Sequence, residues 1–347
     1  MITKKNQKYY MVGMVAFSVL VSSFVFYFYQ VFFSPNTLTE TDQAAVLYIP
    51  SNATFQQVSD SLTHNEIITD VISFSFVAKM MKYQENVKPG RYTIEPKLSN
   101  KELVTLLRSG KQTPINLTFN NIRTKEDLAE KISKNLEIRE DQFLELIRDS
   151  LYIRKFDFNE ETIMSMFIPD TYEVYWDMTP EQLFDRMYRE YNKFWTDDQK
   201  AKAETLNMSP VEVSTLASIV QAETAKKDER AKIAGVYINR LQRNIPLQAD
   251  PTLVFALGDF SIKRVLNVHK EIDSPYNTYM YAGLPPGPIN LPDKSSLNAV
   301  LNYQEHNYLY FCAKEDFSGY HVFSTNLRDH LNQARKYQNA LNAAKVF

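Results

Sequence analysis

A single cysteine, Cys312, leaves the chain no partner for an internal disulfide, and in the run Tyr308-Leu309-Tyr310-Phe311-Cys312 it is expected in the core. Histidine is also scarce, at five residues, and no His, Cys or Asp spacing matches a metal-ligand pattern, so no metal or other cofactor is expected. Neither sign of charge dominates. The 39 lysines and arginines against 41 aspartates and glutamates leave a net charge of −2 and a pI near 6.3, which removes the electrostatic case for nucleic acid as a partner. What is present is length and aromatic content: 347 residues leave room for more than one domain. Its 21 tyrosines and 22 phenylalanines point to aromatic-lined surfaces as well as cores.

Lys4, Lys5 and Lys8 precede an uncharged, mostly apolar stretch from Tyr9 to Phe33. About 23 residues rising ~1.5 Å each cross a bilayer core. Tyr9, Tyr10, Tyr27 and Tyr29 sit where interfacial aromatics belong, and the lysines favour a cytoplasmic tail over 1–8 with the remainder outside. A cleaved signal peptide is the alternative. The run is longer than a typical signal core and lacks an Ala-x-Ala exit, so 9–33 is read as a transmembrane anchor, and the polar stretch 34–44 as a tether.

From Ala45 a compact pattern begins: a strand over 46–49, a helix over 54–64, a second helix, and a turn at Lys88-Pro89-Gly90 entering another strand. Ser99-Asn100-Lys101-Glu102 forms a capping box for a helix that Gly110 stops. Some of this recurs about seventy residues on, where Leu117-Thr118-Phe119 and Thr124 echo Leu47-Tyr48-Ile49 and Thr54. Residues 139–165 read as helical with a polar break at 157–161. An extended aromatic segment follows, Phe167-Ile168-Pro169-Asp170-Thr171-Tyr172-Glu173, and then a helix from Thr179 to about Trp195.

The most informative stretch is 209–224. Ser209, Pro210 and Glu212 start a helix, and Val213, Leu216, Ile219 and Val220 define one apolar face. Continued, that face meets Glu223, whereas Glu212 and Gln221 fall on ordinary surface positions. A carboxyl group on a buried face either finds a partner or keeps its proton, and a proton retained near neutral pH is what a general acid needs. An ion pair with Lys226, Lys227 or Arg230 is the plainer alternative. Asp228 is placed to cap the next helix, with Ile233, Val236, Tyr237 and Leu241 on its face. Seven of the fifteen prolines and three of the eight glycines fall in 242–300, which is expected to be mostly loops, the usual seat of binding groups. A helix near 295–302, a hairpin from 308–313 and 321–324, and a helix over 327–344 close the chain.

Taken together, Phe167–Glu173, the Glu223 helix with Asn239-Arg240-Leu241, Pro246-Leu247-Gln248-Ala249-Asp250-Pro251-Thr252, Ser274-Pro275-Tyr276-Asn277-Thr278-Tyr279, Gly283-Leu284-Pro285-Pro286-Gly287-Pro288-Ile289 and Gly319–Ser324 closely resemble the endolytic murein transglycosylase family, the MltG or YceG-like proteins. The resemblance covers roughly 45–345. It implies an α+β fold: an N-terminal transmembrane helix, a LysM-like α+β module over 45–112, and a YceG-like catalytic domain over 113–347 with a lysozyme-like active cleft. It also implies an inner-membrane protein with an extracytoplasmic catalytic domain that cuts nascent peptidoglycan glycan strands internally. Peptidoglycan synthases are the partner class it leaves open. The family's catalytic glutamate falls on Glu223, in Ser218-Ile219-Val220-Gln221-Ala222-Glu223-Thr224, and Gln221 stands where the family usually has a further glutamate.

One carboxyl group suffices for this chemistry. The C6 hydroxyl of N-acetylmuramic acid is the internal nucleophile, giving a 1,6-anhydro end without water, and effective molarity replaces a second catalytic group. Candidate substrate-binding residues are Gln248, Asp250, Thr252, Tyr276, Asn277, Thr278 and Tyr279, although the Asp, Asn and Thr side chains also suit loop-backbone bonds. Asp170 and Glu173 are candidates for a second carboxylate opposite Glu223, or for an ion pair with Arg240. His321 is expected as a hydrogen-bonding residue. Two rival readings are a muramidase-type hydrolase using water on the same glutamate, and a non-catalytic wall-binding scaffold.

Overall fold

The structure is a computed structural model that describes residues 4–38 and 43–344; residues 1–3 of the expected tail and 39–42 of the expected tether lie outside the described residues. The chain forms two compact units, one of residues 1–116 with 173–178, the other of 117–172 with 179–347.

In the first unit α1 (Lys4–Phe33) is the long apolar helix, exposed along nearly all its length until Val31, which joins the core. The order then is β1 (Ala45–Ile49), α2 (Phe55–His64), α3 (Val71–Met80), β2 (Gly90–Ile94) and α4 (Asn100–Ser109). β1 and β2 pair antiparallel with Leu47 opposite Tyr92, and their alternation sends Leu47, Ile49, Tyr92 and Ile94 inward. Val58 and Leu62 of α2, Phe74 and Val77 of α3, and Leu103 and Leu107 of α4 close the core. Ser99 forms the expected capping box, Thr54 forms another with Gln57, and Gly110 ends α4 at φ +68°, in the left-handed region.

Two expectations are corrected here. The start of the tether is folded: Asn36 and Thr37 are buried, with the Asn36 amide bonding Asp70 O (2.9 Å) and Asn100 Oδ1 (2.6 Å). An asparagine hydrogen-bonding backbone cannot be told from a linker residue by composition. Residues 173–178 also lie with this unit: Trp176 packs on Tyr48 (ring centroids 5.0 Å apart) and Asp177 accepts from the Gln112 amide (3.0 Å).

The second unit is mainly helical. β3 (Ile115–Thr118) and β4 (Thr171–Val174), where the chain passes between units, pair with each other; between them lie α5 (Lys125–Ser133), α6 (Glu140–Arg148) and α7 (Ser150–Ile153). Then come α8 (Pro180–Phe194), α9 (Asp197–Thr205), α10 (Pro210–Glu223), α11 (Arg230–Gln242), α12 (Asp250–Leu257) and α13 (Lys294–Leu301). The hairpin β5 (Tyr310–Ala313) and β6 (His321–Ser324) and the helix α14 (Leu327–Ala343) complete it. Helix α12 lies within the region expected to be loop. Cys312 is half-buried in β5 rather than in the core.

Helix α10 is the hub of this unit, packed by α9, α11, α12 and α13. All residues from Val213 to Val220 are buried, so a single apolar stripe understates its burial. Ser214 and Thr215 tolerate this by bonding back to Pro210 O and Val211 O at 2.9 Å each.

Candidate active site

Glu223 is the last residue of α10, and both ends of that helix are fixed. At the start, Glu212 N donates to Ser209 Oγ (3.2 Å), Ser209 N donates to Glu212 Oε2 (2.7 Å), and Pro210 takes the first turn. At the end, Thr224 turns extended (φ −144°, ψ 136°) and its buried hydroxyl receives Lys226 N at 3.0 Å. A carboxylate in the last turn faces the negative end of the helix dipole, which favours its protonated form.

The groups around Glu223 come from three later segments. Tyr237, buried on α11, donates its hydroxyl to Glu223 Oε1 at 2.7 Å, and its ring packs edge-on against Phe311. Asp250 opens α12 and raises the cost of charging Glu223, while Tyr279 donates to Asp250 Oδ1. Burial pushes the Glu223 carboxyl up to about 7; Asp250 adds to this, and the Tyr237 hydrogen bond opposes it. Solvent still reaches Glu223, which is only partly buried. Close to the Tyr237 and Tyr279 hydroxyls, the largely buried Arg240 donates to Leu247 O (3.1 Å) and Gln248 Oε1 (2.6 Å) and lies over the Tyr310 ring. Burial holds the Arg240 guanidinium below its ordinary value.

The proline-rich segment is clasped to the same helix. Ile289 N donates to Ser218 Oγ (3.0 Å) and the Asn290 amide to Ser218 O (2.8 Å), little more than a turn before Glu223. Gly287 is required there, because a Cβ would lie 2.0 Å from Glu161 O. Gln221 proves to be no ordinary surface position. It donates to Asn290 Oδ1 (3.1 Å) and Leu291 O (3.0 Å) and accepts from Asp293 N (2.7 Å) and Ser296 Oγ (3.0 Å). A glutamate there has no N–H for the Leu291 carbonyl.

The sequence-derived candidates divide. Asp250 and Tyr279 interact with Glu223, and Gln248 joins this cluster through Arg240; all three side chains are accessible, and Gln248 adopts a left-handed φ of +53°. Thr252, Asn277 and Thr278, expected to touch sugar, are instead buried and hold loops. Ala249 N donates to Thr278 Oγ1 (3.0 Å), the two threonine hydroxyls bond each other (2.8 Å), and the Asn277 amide donates to Lys270 O and Ile272 O. Tyr276 packs on Phe255, with ring centroids 4.8 Å apart. Asp170 pairs with Lys294 rather than Arg240, and that ammonium lowers its pKa. Glu173 is exposed on β4 and belongs to the first unit. Asp228 does not cap α11, since Lys227–Glu229 forms a 3-10 turn before it; Asp228 instead accepts from the Tyr320 hydroxyl (3.2 Å). His321 is hydrogen-bonded, as expected, to the buried Glu229 carboxylate at 2.9 Å.

Sequence reading missed Tyr237 as a site residue because a tyrosine on an apolar helical face looks like any core aromatic. Its hydroxyl favours ionised Glu223, so Tyr237→Phe is expected to raise the Glu223 pKa further and move the alkaline limb of a pH–rate profile to higher pH. An unmoved limb would sink the assignment of that limb to Glu223.

The YceG-like family model matches residues 47–336. The endolytic murein transglycosylase of Streptococcus pneumoniae strain R6 is 26% identical over 370 residues, covering 96% of this chain and 66% of that protein. The chain thus spans just under two thirds of the length of that relative. The endolytic murein transglycosylase of Bacillus subtilis strain 168 is 29% identical over 310 residues, covering 85% of each. A crystal structure of a yceG-like protein from Listeria monocytogenes superposes with a TM-score of 0.56 at 26% identity, covering 84% of this chain and 98% of the other.

Proposed function

Because the chain belongs to the YceG-like family, we propose that it is an endolytic lytic transglycosylase that cuts peptidoglycan strands at the MurNAc–GlcNAc β-1,4 bond. The observation that carries this reading is the setting of Glu223, a solvent-reached carboxyl group that accepts from Tyr237, interacts with Asp250 and Tyr279, and is pushed by burial up to about 7. With Oε1 occupied by the Tyr237 hydroxyl, Oε2 is the oxygen free to carry the proton to the glycosidic oxygen. As the bond to C1 breaks, the C6 hydroxyl of the same MurNAc attacks C1 and surrenders its proton to the Glu223 carboxylate. The 1,6-anhydro ring closes, the acid is regenerated and no water is consumed. Gln248, Asp250 and Tyr279 are the side chains placed to position sugar, and Arg240 orders Gln248.

The β1-α2-α3-β2 order with antiparallel strands supports a LysM-like reading of 45–112, and the second unit is read as the domain with a lysozyme-like cleft. The helical stretch Gln7–Phe33 is long and apolar enough to cross a membrane. The lysines before it favour a cytoplasmic N-terminus with the remainder extracytoplasmic.

Asp250 gives the hydrolase reading its one structural support, as a second carboxylate that interacts with Glu223. Mass spectrometry of muropeptides from strands digested by the purified chain separates the two, because anhydro ends are lighter by one water. A scaffold would leave strands uncut. For a transglycosylase, Asp250→Asn lowers the Glu223 pKa and moves the alkaline limb to lower pH, with a several-fold loss of rate at neutral pH. A hydrolase would lose orders of magnitude at every pH.

A further inference from the structure

Helix α3 has two apolar sides, and the core uses only one. Phe74, Val77 and Ala78 face inward, while Ile72, Phe76 and Met80 form an outer ridge at four-residue spacing and are 79%, 46% and 57% exposed. The ridge adjoins the anchor: the Phe76 ring meets Phe28 and Phe32 of α1 edge-on, each with centroids 6.4 Å apart. Asn100 fixes this junction by donating to Val31 O and Ser73 Oγ, both at 2.9 Å.

Depth follows from counting. A bilayer hydrocarbon core takes about twenty helical residues, which from Tyr9 places Phe28 at its outer boundary. A side chain touching both Phe28 and Phe32 then lies at that boundary too. Basic groups flank the ridge and the end of α1. Lys79 and Lys82 are exposed at the end of α3, and the Lys101 ammonium lies 5.1 Å over the Phe33 ring. Beside Phe33 a groove of about 550 Å³ is lined by Lys101, Glu102, Thr105, Leu106 and Lys111, the Glu102 carboxylate being engaged in the Ser99 capping box. Apolar groups bordered by lysines match acyl chains bordered by phosphates.

We propose that the Ile72, Phe76 and Met80 ridge of α3 is embedded in the lipid–water interface beside α1, so that the first unit is seated on the bilayer rather than suspended above it. This rests on reading α1 as a membrane span.

The test uses the full chain with Cys312→Ser, reconstituted into phosphatidylglycerol-containing vesicles. Single nitroxide-labelled cysteines replace Ile72 or Met80, with references at Val19 in mid-α1 and at the exposed Gln56 of α2. Labels at 72 and 80 are expected to collide several-fold less with a water-soluble nickel chelate than the label at 56, and more with oxygen. If 72 and 80 are as open to nickel as 56 while 19 is lipid-embedded, the ridge proposal is overturned and the anchor stands. If 19 is also open to nickel, the anchor reading falls and takes the proposal with it. Labels at 72 and 80 shielded from both reagents would mean a protein occupant, which also overturns the proposal.

Discussion

Glu223→Gln is expected to end strand cleavage while making the folded chain more stable at pH 8. Loss of a general acid costs about 10²–10⁴-fold in rate, and here the upper end applies, because the same group serves as acid and then as base. The stability gain follows from linkage. Burial pushes the Glu223 carboxyl up to about 7 in the folded chain from its ordinary 4.5, so between those values the native state holds a proton that the unfolded chain has released. Wild-type stability therefore falls as pH rises from about 4.5 to about 7 and is flat above, a penalty of up to about 3 kcal/mol. Glutamine carries no charge and still accepts from the Tyr237 hydroxyl. Urea unfolding at pH 5 and pH 8 reads this directly: the difference between the two pH values should shrink in the variant. An active glutamine variant, or one with an unchanged difference, contradicts the assignment.

Arg230→Met is expected to be strongly destabilising, at about 3 kcal/mol, because it breaks a largely buried ion pair. The Arg230 side chain is 7% exposed, and its Nη1 donates to Asp293 Oδ1 and Oδ2 (2.9 Å each), Ser295 Oγ (2.7 Å) and Ser296 Oγ (2.8 Å). Asp293 in turn caps α13 by accepting Ser296 N at 2.7 Å. Burial alone would raise the Asp293 pKa, but hydrogen bonds from Arg230, Ser295 and the Ser296 backbone outweigh it and hold the group at about 2. That stabilisation is present above pH ~4 and is lost as pH falls through ~2. Methionine fills the volume but strands the carboxylate, and a melting point lower by roughly 10 °C is expected. Adding Asp293→Asn should restore part of the loss, since the stranded charge carries much of the cost. A double variant no better than the single one would place the cost in packing instead.

How much of this was legible in the sequence depended on how local the cause was. Capping boxes at Thr54, Ser99, Thr179 and Ser209 are readable because cap and partner lie three residues apart. Glu223 was legible for a similar reason, as the continuation of an apolar face. Roles set by contacts across long stretches of chain were not. Gln221 looked like surface until the segment 290–296, some seventy residues on, folded over it. Thr252 and Thr278 look the same in sequence whether they hold a loop or a sugar, and only their burial decides. Asn36 in the tether and Asp170 facing Lys294 show the same limit.

The clamped start of α10 makes that helix a ruler as well as a support. Each residue advances an α-helix by about 100° and ~1.5 Å, so the fixed cap at Ser209 sets the bearing at which the fourteenth helical residue emerges. Swapping one aliphatic side chain for another along 213–220 changes packing but leaves this phase alone. Inserting or deleting one residue between the cap and Glu223 would swing the acid by more than a quarter turn, away from Tyr237 and Asp250. In this segment, residue number is a tighter constraint than residue identity.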